Sequence, residues 1–158
     1  MRAEVLRPLA ASIAVVRCAV MADFPTPDTE LTHILVVADF ERSSRWYTDV
    51  LGAELYREYG GTSAVLTFNR AWLLLVTGGA PTPDKPTVTL AAPADPDRLD
   101  HLFTIRVDDC LATYELLRER GATFLTPPVT SGSETRAFFR DPDGHLFEIS
   151  EYRSGDGA

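Results

Sequence analysis

Asp39-Phe40-Glu41-Arg42-Ser43-Ser44-Arg45-Trp46-Tyr47-Thr48-Asp49-Val50-Leu51-Gly52-Ala53 reads as one capped helix with its exit. Phe40, Trp46, Tyr47, Val50 and Leu51 recur at helical spacing. Asp39 has the short acceptor side chain an N-cap needs, and Gly52 suits the left-handed residue after a last turn. A β-rich run at 32–37 leads into this helix. The same order returns downstream: a strand-like run at 102–107, then Asp108-Asp109, an amphipathic stretch carrying Leu111, Tyr114 and Leu117, and Gly121-Ala122. Val37 to Val107 and Asp39 to Asp109 are each 70 residues apart, and Gly52 to Gly121 is 69. A strand, a capped helix and a Gly-Ala exit repeated at one period mark a duplicated module.

Further strand candidates follow each helix, at 54–58, 63–69 and 71–77 in the first copy and at 123–125, 136–140 and 146–152 in the second. Each half therefore reads β-α-β-β-β. Such a module cannot bury its sheet alone, so the halves are expected to pair into a cupped mixed sheet with helices outside, an α+β fold. Module 1 spans 31–78 and module 2 spans 101–152, inside a single domain at 25–153. Between them, 79–100 is a proline-rich linker with Pro81, Pro83, Pro86, Pro93 and Pro96, and a short strand around Val88. Residues 1–24 read as an extension outside the fold. Arg2, Arg7 and the apolar run at 8–16 have the outline of a secretory signal, but Glu4 and Arg17 interrupt it, and a tail or a mis-called start at Met21 is favoured. Residues 154–158 read as a second tail.

Composition excludes several function classes. With 15 basic and 23 acidic residues the chain carries −8, which argues against a binder of the nucleic-acid phosphate backbone. No run of about 18 apolar residues offers a membrane span. The two cysteines, Cys18 and Cys110, have no paired spacing, so a disulfide or zinc framework is not expected and a reduced cytoplasmic protein is.

The helix stretch above and a second run, Phe139-Arg140-Asp141-Pro142-Asp143-Gly144-His145-Leu146-Phe147-Glu148, together resemble the hallmark stretches of the vicinal oxygen chelate superfamily. That group includes glyoxalase I, extradiol dioxygenases and bleomycin-resistance proteins. The resemblance covers about 31–152. It implies a small-molecule site in the cupped face of the sheet, a homodimer, and in metal-using members a divalent Fe, Mn, Ni or Zn. Superfamily membership does not fix the reaction.

Glu148 falls at the offset of the family's last ligand and is the candidate catalytic carboxylate. Alternation puts Leu146, Glu148 and Ser150 on one face of its strand and His145, Phe147 and Ile149 on the other. The other ligand positions fall on Thr32, Leu74 and Leu102, with His33 one residue late and His101 one residue early, and a one-residue slip turns a strand side chain to the opposite face. Only β-bulges would restore a metal set of His33, His101 and Glu148. Arg106 and Thr104 are candidate substrate-binding groups on the cupped face, with Trp72 and Phe138 as aromatic lining. Glu134 and Arg136 flank a loop at 130–133 that reads as a flap. Two readings follow: a glyoxalase- or dioxygenase-like enzyme with a metal on that trio, or a metal-free protein that sequesters an aromatic or antibiotic-like compound.

Overall fold

Both aspartate caps and both glycine exits form where the repeat puts them. The computed structural model describes Pro25, Thr26 and residues 29–153, so the extension at 1–24 and the tail at 154–158 lie outside the described residues. Helix α1 runs Phe40–Asp49 and α2 runs Cys110–Glu119. The Asp39 carboxylate accepts from the Arg42 N–H at 3.0 Å, and that of Asp109 from the Ala112 N–H at 2.8 Å. Gly52 and Gly121 take φ of 80° and 105°, which closes each helix in a conformation open to glycine.

In module 1, β1 (Thr32–Val37), β2 (Glu54–Tyr59), β3 (Ser63–Phe68) and β4 (Ala71–Thr77) form a sheet in the order β1-β4-β3-β2. In module 2, β5 (Phe103–Arg106), β6 (Thr123–Phe124), β8 (Glu134–Arg140) and β9 (Leu146–Tyr152) repeat it as β5-β9-β8-β6. The first and last strands of each module pair in parallel, and the other pairs are antiparallel. The loop expected as a flap is instead the tip of a hairpin. Here β7 (Val129–Ser131) pairs with β8, so Ser131 faces Glu134 across a turn whose Gly132 has φ 61°. No strand forms around Val88 among the described residues; the linker carries only the isolated bridges Gly79–Leu90 and Thr82–Lys85. Its prolines deny the N–H groups a ladder needs.

Within the chain, hydrogen-bonded pairing stays inside each module and side chains join the two. Leu35, Val37, Leu66, Leu73 and Leu75 of the first sheet, Phe139, Phe147 and Ile149 of the second, and Phe40, Tyr47, Tyr114 and Leu117 of the helices make one buried cluster. Each fully buried side chain of this size contributes about 1.5–3 kcal/mol. Trp46 of α1 lies over Phe139 and Phe147 at ring distances of 6.2 and 6.3 Å, so the first module's helix packs on the second module's sheet.

Polar contacts fix that packing. The Tyr47 hydroxyl donates to Asp141 at 2.7 Å. Asp143 accepts from the Ala38 N–H at 2.8 Å, the Arg42 guanidinium at 2.8 Å and the Ser43 hydroxyl at 2.5 Å. His145 Nε2 lies 3.0 Å from the Val36 carbonyl oxygen. Burial pushes the Asp141 carboxyl above the usual range, while the Tyr47 hydroxyl and the His145 neighbourhood favour its charge.

Asp39→Ala and Asp109→Ala are each expected to cost about 1 kcal/mol in urea unfolding, and an unchanged midpoint in either would deny that cap a role. Tyr47→Phe is expected to cost about 1–3 kcal/mol. Because the folded Asp141 binds its proton more tightly than the unfolded one, stability falls as pH rises through the window above the usual carboxylate value. Removing the hydroxyl that favours the carboxylate raises that value further, so the Tyr47→Phe deficit is larger at neutral pH than in acid. A deficit independent of pH would show that the pair is not linked to the Asp141 proton.

Candidate functional site

Strand β9 alternates as its sequence requires. Phe147 and Ile149 point into the core, which leaves Leu146, Glu148 and Ser150 on the outer face. Register then assembles their neighbours: Thr104 and Phe138 flank Glu148, and Arg106 and Arg136 flank Ser150. The Thr104 hydroxyl donates to Glu148 Oε2 at 2.7 Å, and Arg136 Nη1 lies 3.6 Å from Oε1. Arg106 Nη1 donates to Ser150 Oγ at 2.7 Å and to Glu134 Oε1 at 2.9 Å, while Ser150 Oγ donates to the same Glu134 oxygen at 2.5 Å. Those donors, Ser150 first and Arg106 next, hold the Glu134 carboxyl below the usual range. Glu148 is 7% exposed, and a carboxylate that buried is tolerable only with such partners. Arg136 also stands over the Phe138 ring, 6.0 Å from its centroid.

Thr104, Arg106, Phe138 and Glu148 thus share one face. The other sequence candidates lie elsewhere. Trp72 is on β4 opposite Thr32, edge-on to Tyr56 at 5.2 Å, on the outer face of the first sheet. His33 is one residue further along β1 and meets Phe103 edge-on at 5.3 Å. His101 precedes β5, its Nδ1 2.7 Å from Asp100, and it too meets Phe103 edge-on. No bulge intervenes on β1 or β5 among the described pairings to re-aim either histidine.

Among the described residues, no group of three histidine, cysteine, aspartate or glutamate side chains is placed to hold a metal ion. Glu148's face offers one further carboxylate, Glu134, already bound to Arg106 and Ser150, and no imidazole. The corresponding face of module 1 presents Thr32, Ile34, Trp72 and Leu74. The residues present do not fit the divalent metal that the family's metal-using members carry.

Three participants were hidden from sequence reading. Arg136 and Glu134 read as loop charge, yet both lie on β8 and point to the Glu148 face, which only the β8–β9 register reveals. Arg70 carries no motif. It sits in the β3–β4 turn beside Asn69, whose φ of 52° suits the residue that best tolerates it after glycine. With Arg106 and His33 it lines a cleft of about 550 Å³ between that turn and β5, walled by Leu51, Leu73 and Phe147.

Comparisons with known proteins agree with this architecture. The family model described as Glyoxalase/Bleomycin resistance protein/Dioxygenase superfamily matches residues 30–149. A lactoylglutathione lyase of Haemophilus influenzae is 32% identical over 136 residues, covering 78% of this chain and 93% of the relative. The solved structure of a glyoxalase/bleomycin resistance protein/dioxygenase from Nocardioides superposes with a TM-score of 0.63 at 24% identity, over 87% of this chain and 93% of that one. An antibiotic binding protein from Streptomyces sp. CB03234 has the same fold, with a TM-score of 0.56 at 21% identity over 80% and 98% of the two chains. The duplicated β-α-β-β-β module, the two hallmark stretches and the family match together place this chain in the glyoxalase/bleomycin resistance protein/dioxygenase superfamily, the vicinal oxygen chelate group.

Proposed function

We propose that this protein binds a small organic molecule on the outer face of β5, β9 and β8 through its own arginine and hydroxyl groups, without a metal held by its histidines. One observation carries this reading. Glu148 is committed to Thr104 and Arg136, and neither His33 nor His101 shares its face. A ligating carboxylate needs free lone pairs and imidazole partners on the same side of the sheet. Arg106 and Arg136 supply donors for a carbonyl or anionic oxygen, and Phe138 supplies a ring face. The exposed Ile34 and Tyr56 on the outer face of the first sheet, with Trp72, suit either a ligand's apolar body or a second copy of the chain in a homodimer. A reduced, cytoplasmic setting is compatible with the free thiol of Cys110, which burial pushes above the usual range.

The name carried by the Haemophilus influenzae relative supports a second reading, a lactoylglutathione lyase. The two readings separate by experiment. After expression with added Fe, Mn, Ni and Zn, elemental analysis is expected to find less than about a tenth of an equivalent of each per chain, and near-stoichiometric metal would sink the proposal. Lactoylglutathione lyase activity is expected to be absent with or without those metals. Metal-stimulated turnover that Glu148→Gln removes would establish the lyase reading instead.

A further inference from the structure

The outer face of module 2 runs on past Glu148 into an apolar recess. Leu146 stands two residues before Glu148 on β9 and pairs with Arg140 of β8, as Glu148 pairs with Phe138. Phe103 and Phe124 pack toward the core, so alternation turns Leu102, just before β5, and Leu125, just after β6, to the same outer face. The Leu125 N–H donates to the Phe138 carbonyl at 2.8 Å, which holds it in line. A fourth leucine, Leu99, comes from the linker. Together with Arg140 these leucines line a recess of about 380 Å³. Arg140 fixes the linker wall: its guanidinium donates to the Pro96 carbonyl and, at 2.7 Å, to Asp97. Pro96 also lies against Gly144, where a β-carbon would come within 3.1 Å of the proline side chain. The N–H groups of Asp97 and Arg98 both donate to Asp95 and close the turn. The charged groups of the lining are already engaged, Asp97 with Arg140 and Asp100 with His101, so the recess offers its leucines. Leu102 and Leu125 are 45% and 50% exposed, which leaves apolar surface there open to water.

We propose that this recess takes the uncharged apolar tail of the ligand whose polar head meets Arg106 and Arg136, so that the linker turn sets the length of molecule the site accepts. This deepens the reading above and rests on it for the polar head. Along β9 the order Ser150, Glu148, Leu146 puts head, middle and tail in one line. Ser150 lies beside the two arginines, Glu148 beside the Phe138 ring, and Leu146 in the recess. At about 3.3 Å per residue, the four-residue step from Ser150 to Leu146 spans about 13 Å. The matching ligand is an elongated molecule with a carbonyl or anionic oxygen at one end, a flat ring in the middle and an alkyl tail at the other.

Equilibrium dialysis of the full chain against a series of 4-alkylbenzamides, from methyl to pentyl, tests this. Affinity is expected to rise about two- to fourfold with each added methylene. Leu102→Asp and Leu125→Asp are each expected to abolish that dependence on length, because a carboxylate beside the tail would lose its water. Arg140→Met, which frees the linker from its strap and keeps an apolar stem, is expected to weaken the dependence. Both leucines are half-exposed, so replacing either leaves the fold intact, which the urea midpoint checks. Affinity that does not change with tail length, or a rise that persists in either leucine variant, would overturn the tail subsite. Binding of 4-methylbenzamide that Arg106→Ala weakens would in that case leave the small-molecule reading standing. Binding of no member of the series would overturn the inference as well, whereas the metal content decides the reading above independently.

Discussion

The turn Asp141-Pro142-Asp143-Gly144 holds the start of α1, and the remaining architecture depends on that grip. Asp143 has a side chain only 1% exposed, yet it meets a backbone N–H, a hydroxyl and a guanidinium from residues 38–43. A buried carboxylate left unpaired is costly, so charge-assisted donors must surround it, and the first turn of a helix supplies them with a favourable dipole as well. Asp141 meanwhile takes Tyr47 one side and the N–H groups of Asp143 and His145 on the other. Removing any one partner leaves a buried charge short of donors. These contacts span about a hundred residues of sequence and lock module 1 to module 2.

The two stretches by which the sequence resembles its family are the two sides of this grip. Arg42, Ser43 and Tyr47 supply donors and Asp141 and Asp143 the acceptors. In this chain packing and helix capping account for both stretches up to His145, and of their side chains Glu148 alone is hydrogen-bonded within the candidate site. This is why membership leaves the reaction open.

Local rules carried much of the fold. The 70-residue period located both helices, their aspartate caps and their glycine exits, because caps and left-handed residues are chosen by chemistry within a few positions. Alternation along β9 placed Glu148 and Ser150 correctly for the same reason. What alternation within one strand cannot reveal is which residues of another strand arrive beside it. Glu134 reaches Ser150 and Arg106 only through the β8–β9 and β9–β5 registers, so charges that read as loop became members of the site. Arg70 escaped for a different reason: turn residues have no period to betray the surface they face.

Duplication explains the division of labour between the halves. One architecture was copied, and its outer face then diverged: module 1 presents Ile34, Trp72 and Leu74 where module 2 presents Thr104, Arg106 and Glu148. The backbone positions stay tied to packing on their inner faces by Leu35, Leu73 and Leu75 in one copy and Phe147 and Ile149 in the other. Outer residues do not enter that apolar cluster, so a change there acts on the hydrogen-bonded network of Thr104, Arg106, Glu148 and Ser150 rather than on the core. A strand histidine shows how narrow the margin is. His33 stands one position from the outer face, and that single step exchanges a ligating position for an edge-on contact with Phe103. Because the β1–β4 ladder fixes this register over six paired residues, the imidazole cannot reach the outer face without breaking the pairing that forms the sheet.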